Sequence, residues 1–158
     1  MIEIVGVTST EMTFSIAFAY MEAERENNFS WCLERLRSLM HGWQIPSVIV
    51  ADKDLACINA IEKIFSESRY FLCRWHIRKN ILTYWKKIFD TKERFDLFMA
   101  SWNLMVMVDS EKEFSRLWGR LKEDFRDFLN VLEYVRTIWI DKYKERFVAC
   151  WTDTVMHF

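Results

Sequence analysis

Apolar residues near the start of the chain run together as they do in strands. Ile2-Glu3-Ile4-Val5-Gly6-Val7 and Thr13-Phe14-Ser15-Ile16-Ala17-Phe18-Ala19-Tyr20 are β-rich stretches separated by the polar Thr8-Ser9-Thr10-Glu11, the pattern of a hairpin. Their apolar content is nearly continuous in places, which predicts strands covered on both faces. A charged link, Glu22 to Asn28, leads to a helix with Ser30 as its N-cap. Its apolar positions Phe29, Leu33, Leu36 and Met40 repeat at helical spacing until Gly42 and Pro46 end it. Ser47-Val48-Ile49-Val50-Ala51 suits a buried strand and stops at Asp52-Lys53-Asp54. Leu55, Ile58, Ile61 and Phe65 mark a second helix, and Tyr70-Phe71-Leu72-Cys73 another buried strand. From Trp75 the period stays helical almost to the end, with capping-box patterns at Asp90-Thr91-Lys92-Glu93 and Ser110-Glu111-Lys112-Glu113. The predicted order is strand, strand, helix, strand, helix, strand, then helices, with no internal repeat or low-complexity segment.

Composition narrows the class. A length of 158 residues is that of one ordinary domain, and 51% apolar with 28% charged residues is globular rather than disordered. Three Gly and one Pro make 4 of 158 residues, where average usage gives roughly 12%. So little punctuation excludes a loop-rich secreted scaffold and favours long helices. No stretch reaches the ~18 uninterrupted apolar residues of a membrane helix, so a soluble chain is expected. Cys32, Cys57, Cys73 and Cys150 are widely spaced and no signal-peptide pattern opens the chain, so reduced intracellular thiols are expected. The net charge of −1 is uneven: residues 1–73 hold 6 Lys/Arg against 10 Asp/Glu (−4), and residues 74–158 hold 16 against 13 (+3).

Three groups of residues carry candidate chemistry. Asp52 lies just past a buried strand, where α/β sheets place ligands, and a carboxylate there can bind Mg²⁺; equally, Asp52 or Asp54 can simply cap the following helix. Cys73 and His76, three apart across a strand-to-helix turn, are candidate zinc ligands, but structural zinc wants four donors. Upstream, His41, Cys57 and Cys32 match no zinc-finger spacing, and a buried Cys beside a satisfied His explains the pair as well. Arg74, Arg78, Lys79, Lys86 and Lys87 form the densest basic stretch, with no acidic residue between them and with Trp75, Tyr84 and Trp85 interleaved. Such a strip contacts phosphates while aromatics stack on unpaired bases. The alternative is a solvated helix face whose partner face, Ile81, Leu82, Trp85, Ile88 and Phe89, turns into the core. Nothing supports a Ser-His-Asp or Cys-His-Asn nucleophile, and three glycines leave no phosphate loop.

Taken in order, Ile2-Glu3-Ile4-Val5-Gly6-Val7-Thr8, Asn28-Phe29-Ser30-Trp31 with Leu33-Glu34-Arg35-Leu36, Val48-Ile49-Val50-Ala51-Asp52-Lys53-Asp54-Leu55-Ala56, and Leu72-Cys73-Arg74-Trp75-His76-Ile77 with Asn80 resemble a known family. It is the transposase domain of Mutator-like elements, also found in the plant far-red-impaired-response transcription factors. The resemblance extends through Phe114, Trp118, Tyr143 and Trp151. It implies an α/β fold, a partial RNase H-like mixed sheet with its first strand missing, with residues 1–89 as the RNase H-like part and 90–158 as an all-helical insertion.

The resemblance also implies a nuclear protein that cuts and joins DNA with Mg²⁺ or Mn²⁺ at three carboxylates. Asp52 corresponds to the second of these, and Cys73 and His76 to the family's C-x2-H motif, a candidate Zn²⁺ site. The family's first catalytic Asp lies on a strand before Ile2, and its third carboxylate lies past the Trp151 region. The chain is therefore expected to be an incomplete domain, inactive alone because a two-metal clamp needs several carboxylates. Without the first strand, unpaired edges invite pairing with another chain, so a homo-oligomer is a candidate state. The rival reading is a non-catalytic, transposase-derived transcriptional regulator that uses the same fold for DNA contact.

Overall fold

The structure, a computed structural model, describes residues 1–7, 10, 12–40 and 45–156. Strands β1 (Ile2–Val7) and β2 (Thr13–Ala19) pair antiparallel, Ile2 opposite Ala19 and Val7 opposite Thr13, with a bulge beside Ile4 and Val5. Side chains alternate across a strand, so Ile2 and Ile4 turn to the core while Glu3, Val5 and Val7 turn outward. The expectation of strands covered on both faces is corrected here: Val5, Val7, Phe14, Ile16 and Phe18 are all exposed. An apolar run favours a strand but does not supply the second layer that would cover it. Glycine at position 6 lets the Phe14 ring lie across β1, since a Cβ there would stand 2.5 Å from Phe14 Cζ.

Helix α1 (Glu26–Leu39) starts within the predicted charged link. Arg25 is its N-cap, Glu26 sits in the first turn where the helix dipole favours an acid, and Asn28 Nδ2 donates to Ala23 O at 2.7 Å. Ser30 is thus not the cap: it lies inside the helix, buried, with no partner for Oγ. Gly42, the predicted stop, and His41 fall outside the described residues.

Strand β3 (Val48–Ala51) and strand β4 (Arg69–Leu72) pair as a second sheet, and just before β3 the Arg69 N–H donates to Ser47 O at 2.9 Å. Between them runs α2 (Leu55–Ile64). Phe29, Leu33 and Leu36 of α1 bury against Ala60, Ile61 and Ile64 of α2, and Phe65 closes the cluster. Ile2, Ile4 and Ala17 from the first sheet and Ile49, Ala51 and Tyr70 from the second pack on this same cluster. The four strands form two separate two-stranded sheets rather than one continuous sheet. Ladder bonds need backbones about 4.8 Å apart, and no described strand bridges the two pairs.

The later helices are α3 (Arg74–Trp85), α4 (Lys92–Val106), α5 (Glu111–Asp124) and α6 (Leu129–Tyr134). A π-helical turn (Val135–Ile140), α7 (Asp141–Tyr143), a 3-10 turn (Lys144–Arg146) and α8 (Ala149–Met156) follow. Thr91 and Ser110 cap α4 and α5, their hydroxyls accepting the Arg94 and Glu113 N–H at 3.1 and 3.3 Å. Phenylalanines fill the interior: Phe89 stacks on Phe128 at 4.3 Å, and Phe98 meets Phe125 edge-on at 5.2 Å. By compactness the chain divides into residues 1–70 and 71–158, which places α3 with the later helices, whereas the sequence expectation sets a border after residue 89.

Two substitutions in the helical unit have opposite expected signs. Phe98 is fully buried, and Phe98→Ala is expected to cost about 3–5 kcal/mol through lost burial and a cavity. A Cβ at Gly119, inside α5, would meet nothing within 4 Å, so Gly119→Ala is expected to stabilise by about 0.5–1 kcal/mol. Urea denaturation of the two variants against the parent chain measures both.

Candidate nucleic-acid interface

At the end of β3 the two aspartates take different roles. Asp54 is the cap of α2: its Oδ1 accepts the Cys57 N–H at 2.7 Å. Asp52 does not cap the helix; it is exposed just past the strand, and its Oδ1 accepts the Lys53 N–H at 2.6 Å. Burial, then the carboxylates of Asp54 and Asp52, push the Cys57 thiol up to about 11, so it stays protonated near neutral pH and is a poor nucleophile or ligand. Among the described residues no three His, Cys, Asp or Glu side chains converge on a common point. Asp52 therefore stands without the companions a three-carboxylate metal site requires. Cys73 and His76 likewise gain no third donor, although His76 Nδ1 is buried without a hydrogen-bond partner. The described residues therefore complete neither a closed zinc site nor a two-metal site.

Cys73 opens α3 as its N-cap, and the helix then sorts its residues by face. Ile77 and Ile81 are fully buried, and Trp85 is half-buried with its ring 5.2 Å from that of Tyr134. Trp75, Arg78, Lys79, Leu82 and Lys86 follow the i, i+3, i+4, i+7 and i+11 spacing of one stripe, and all are exposed. Lys79 Nζ sits 4.9 Å from the Trp75 ring centroid, and Lys87 extends the cationic strip just past the helix end.

Arg74 belongs to the same basic stretch in sequence but not in space. Its guanidinium donates to Phe147 O at 2.6 Å, Thr152 Oγ1 at 2.7 Å and Asp153 Oδ1 at 2.7 Å, fastening α3 to α8. Arg78, Lys79, Lys86 and Lys87 remain as the outward cations. Beside them a cavity of about 260 Å³ opens between α3 and the end of α4. Trp75 and Arg78 line it together with Trp102, Asn103, Met107 and Phe147. The α4 contributors lie 25 or more positions further on, so no local spacing in the sequence could have joined them to Trp75.

A family profile described as the MULE transposase domain matches residues 1–80, just over half of the 158. The chain belongs to the MULE transposase domain family. Protein FAR1-RELATED SEQUENCE 4 of Arabidopsis thaliana is 30% identical to it over 133 residues, 81% of this chain and 16% of that protein. Protein FAR-RED IMPAIRED RESPONSE 1 of Arabidopsis thaliana is 20% identical over 152 residues, 96% and 17% of the two chains. The PKS-NRPS hybrid synthetase cheA of Chaetomium globosum is 27% identical over 150 residues, 94% of this chain but 3% of its own length. The chain thus spans under a fifth of each of these relatives. No solved structure matches it. The profile contains β1 through most of α3, including Asp52, Cys73, His76, Arg78 and Lys79 in this MULE domain.

Two expectations separate structural from surface roles. Asp54→Ala is expected to cost about 1 kcal/mol by uncapping α2, and Asp52→Asn less than about 0.5 kcal/mol, by thermal melting of both. Removing the Arg74 clamp as Arg74→Met strips charge-assisted hydrogen bonds worth about 1.5–3 kcal/mol each at most. Since the ion pair is part-exposed, a loss on the order of 2 kcal/mol is expected, read by urea denaturation.

Proposed function

We propose that this MULE domain contacts DNA through the exposed face of α3 and, by itself, does not cut it. The observation that carries the reading is the segregation on α3: Arg78, Lys79, Lys86 and Lys87 point outward, with no acid from Arg74 to Phe89 to neutralise them. A strip of that kind neutralises phosphates and releases counterions. DNA as partner agrees with the transposase family and would place the protein in the nucleus. Among the described residues no helix is long and apolar enough to cross a membrane.

On this reading Asp52 is one of the carboxylates that hold Mg²⁺ or Mn²⁺ in a longer transposase. The position of Asp52, exposed past β3 while Asp54 does the capping, supports that role. What supports a partial RNase H-like sheet is that two strand pairs rest on one helical layer without bonding to each other, as they would with a central strand between them missing. Those open edges are where a second chain or segment would pair. The lone carboxylate favours a second reading of the same surface, a transposase-derived regulator that binds DNA without cleaving it.

The purified chain is expected to bind DNA with a steep salt dependence and to leave supercoiled plasmid intact with Mg²⁺ or Mn²⁺. Each lost phosphate contact flattens the plot of log affinity against log salt by about 0.9, so Arg78→Gln with Lys79→Gln should flatten it by nearly 2. Metal-dependent nicking that Asp52→Asn abolishes would sink the non-cutting reading. An unchanged slope in the double variant would sink the α3 interface.

A further inference from the structure

We infer that the cavity beside α3 receives one unpaired nucleobase of single-stranded DNA, with Trp75 as its stacking surface and Arg78 as the phosphate contact. The inference rests on the DNA reading of α3 and goes beyond it, because a phosphate strip alone does not distinguish a duplex from a single strand.

The cavity has a floor and a rim of different character. Trp102 and Phe147 are buried, 2% and 1% exposed, so they form a fixed apolar floor. Trp75 and Met107 are 57% and 54% exposed at the rim, alongside the exposed Arg78 and Asn103. Its volume of about 260 Å³ lies just below the ~300 Å³ lower end of small-molecule sites, room for one flat ring system rather than a larger ligand.

Each rim residue has a role toward a base. The Trp75 ring meets Lys79 Nζ at 4.9 Å and the His76 ring at 4.8 Å and 80°, and with 57% of the residue exposed it keeps surface on which a base can stack. Asn103 carries both donors and an acceptor for a base edge, and Met107, whose Sδ accepts from Arg74 Nη1 at 3.3 Å, adds apolar surface at the rim. Arg74 faces the same cavity with its charge already met by Asp153, which leaves Arg78 as the cation there without an ionic partner among the described residues. The cationic run from Arg78 to Lys87 then continues along α3 as a track for the flanking phosphates. A base inside a duplex keeps its faces against its neighbours and cannot enter, whereas an unpaired base can. Among the described residues the cavity lining holds no acid, and with Arg78 at its rim and Lys79 beside it this favours a nucleic acid over an aromatic peptide.

The test compares a short single-stranded oligonucleotide carrying 2-aminopurine with its duplex, by fluorescence anisotropy and by quenching of the 2-aminopurine. The single strand is expected to bind about tenfold tighter, as one base stacked on an aromatic allows, and its 2-aminopurine to be quenched. Trp75→Ala should abolish both the preference and the quenching while the salt slope, which the cations set, stays as it was, and Trp75→Phe should keep part of each. Trp75 is more than half exposed, so loss of the fold is not expected, and an unchanged circular dichroism spectrum checks it. Equal affinity for the two forms, or a preference that survives Trp75→Ala, overturns the inference and leaves the α3 interface standing. Binding to neither form, including the case where only an acidic aromatic peptide binds, overturns both.

Discussion

The helical unit turns on the guanidinium of Arg74. Three hydrogen bonds, to the Phe147 carbonyl just before α8 and to Thr152 and Asp153 within it, fix the first turn of α3, a reach of more than 70 positions along the chain. Arginine suits this because its planar fork can donate in several directions while remaining charged. Once the first turn is held, helical geometry decides the rest: Ile77 and Ile81 go inward, and the stripe from Trp75 to Lys86 goes outward. The exposed stripe is thus the reverse side of a structural anchor.

The first 70 residues obey a different constraint. Two helices make one apolar layer, and two short sheets lie on it without joining. Apolar burial needs only area, and the Phe29–Phe65 cluster supplies it. Strand pairing needs a specific neighbour at ladder distance, and that neighbour is absent from the described residues. The layer can therefore hold while the sheet stays split, with Val5, Val7 and Phe18 left exposed on the hairpin. The same region carries Asp52, exposed at the end of β3 and in no cluster of three metal-ligating side chains among the described residues.

Much was legible from pattern alone. The hairpin, β3, α2, β4 and the capped start of α5 follow from alternation, helical period and turn chemistry, all local properties, while α4 is capped at Thr91, one residue after the Asp90 that opens its capping pattern. The start of α1 was not legible, because Ser30 fits a capping pattern while the helix actually begins at Glu26 and Asn28 ties back to Ala23. Asp52 and Asp54 were indistinguishable by spacing, since either can reach the first turn of a helix; only the Asp54 bond to the Cys57 N–H divides their roles. Arg74 read as one more surface cation for the same reason: its partners are remote.

By itself the sequence determined the element types, the family and the sign of the charge on α3, because periodicity, motif order and side-chain charge are carried by neighbouring residues. Tertiary structure alone decided which cation is spent inside, which aspartate is left at the strand end, and that Trp75 shares a cavity with Trp102, Asn103 and Met107. Those outcomes depend on residues far apart in the chain arriving within a few ångströms, a matter of packing and of which polar groups find partners on burial.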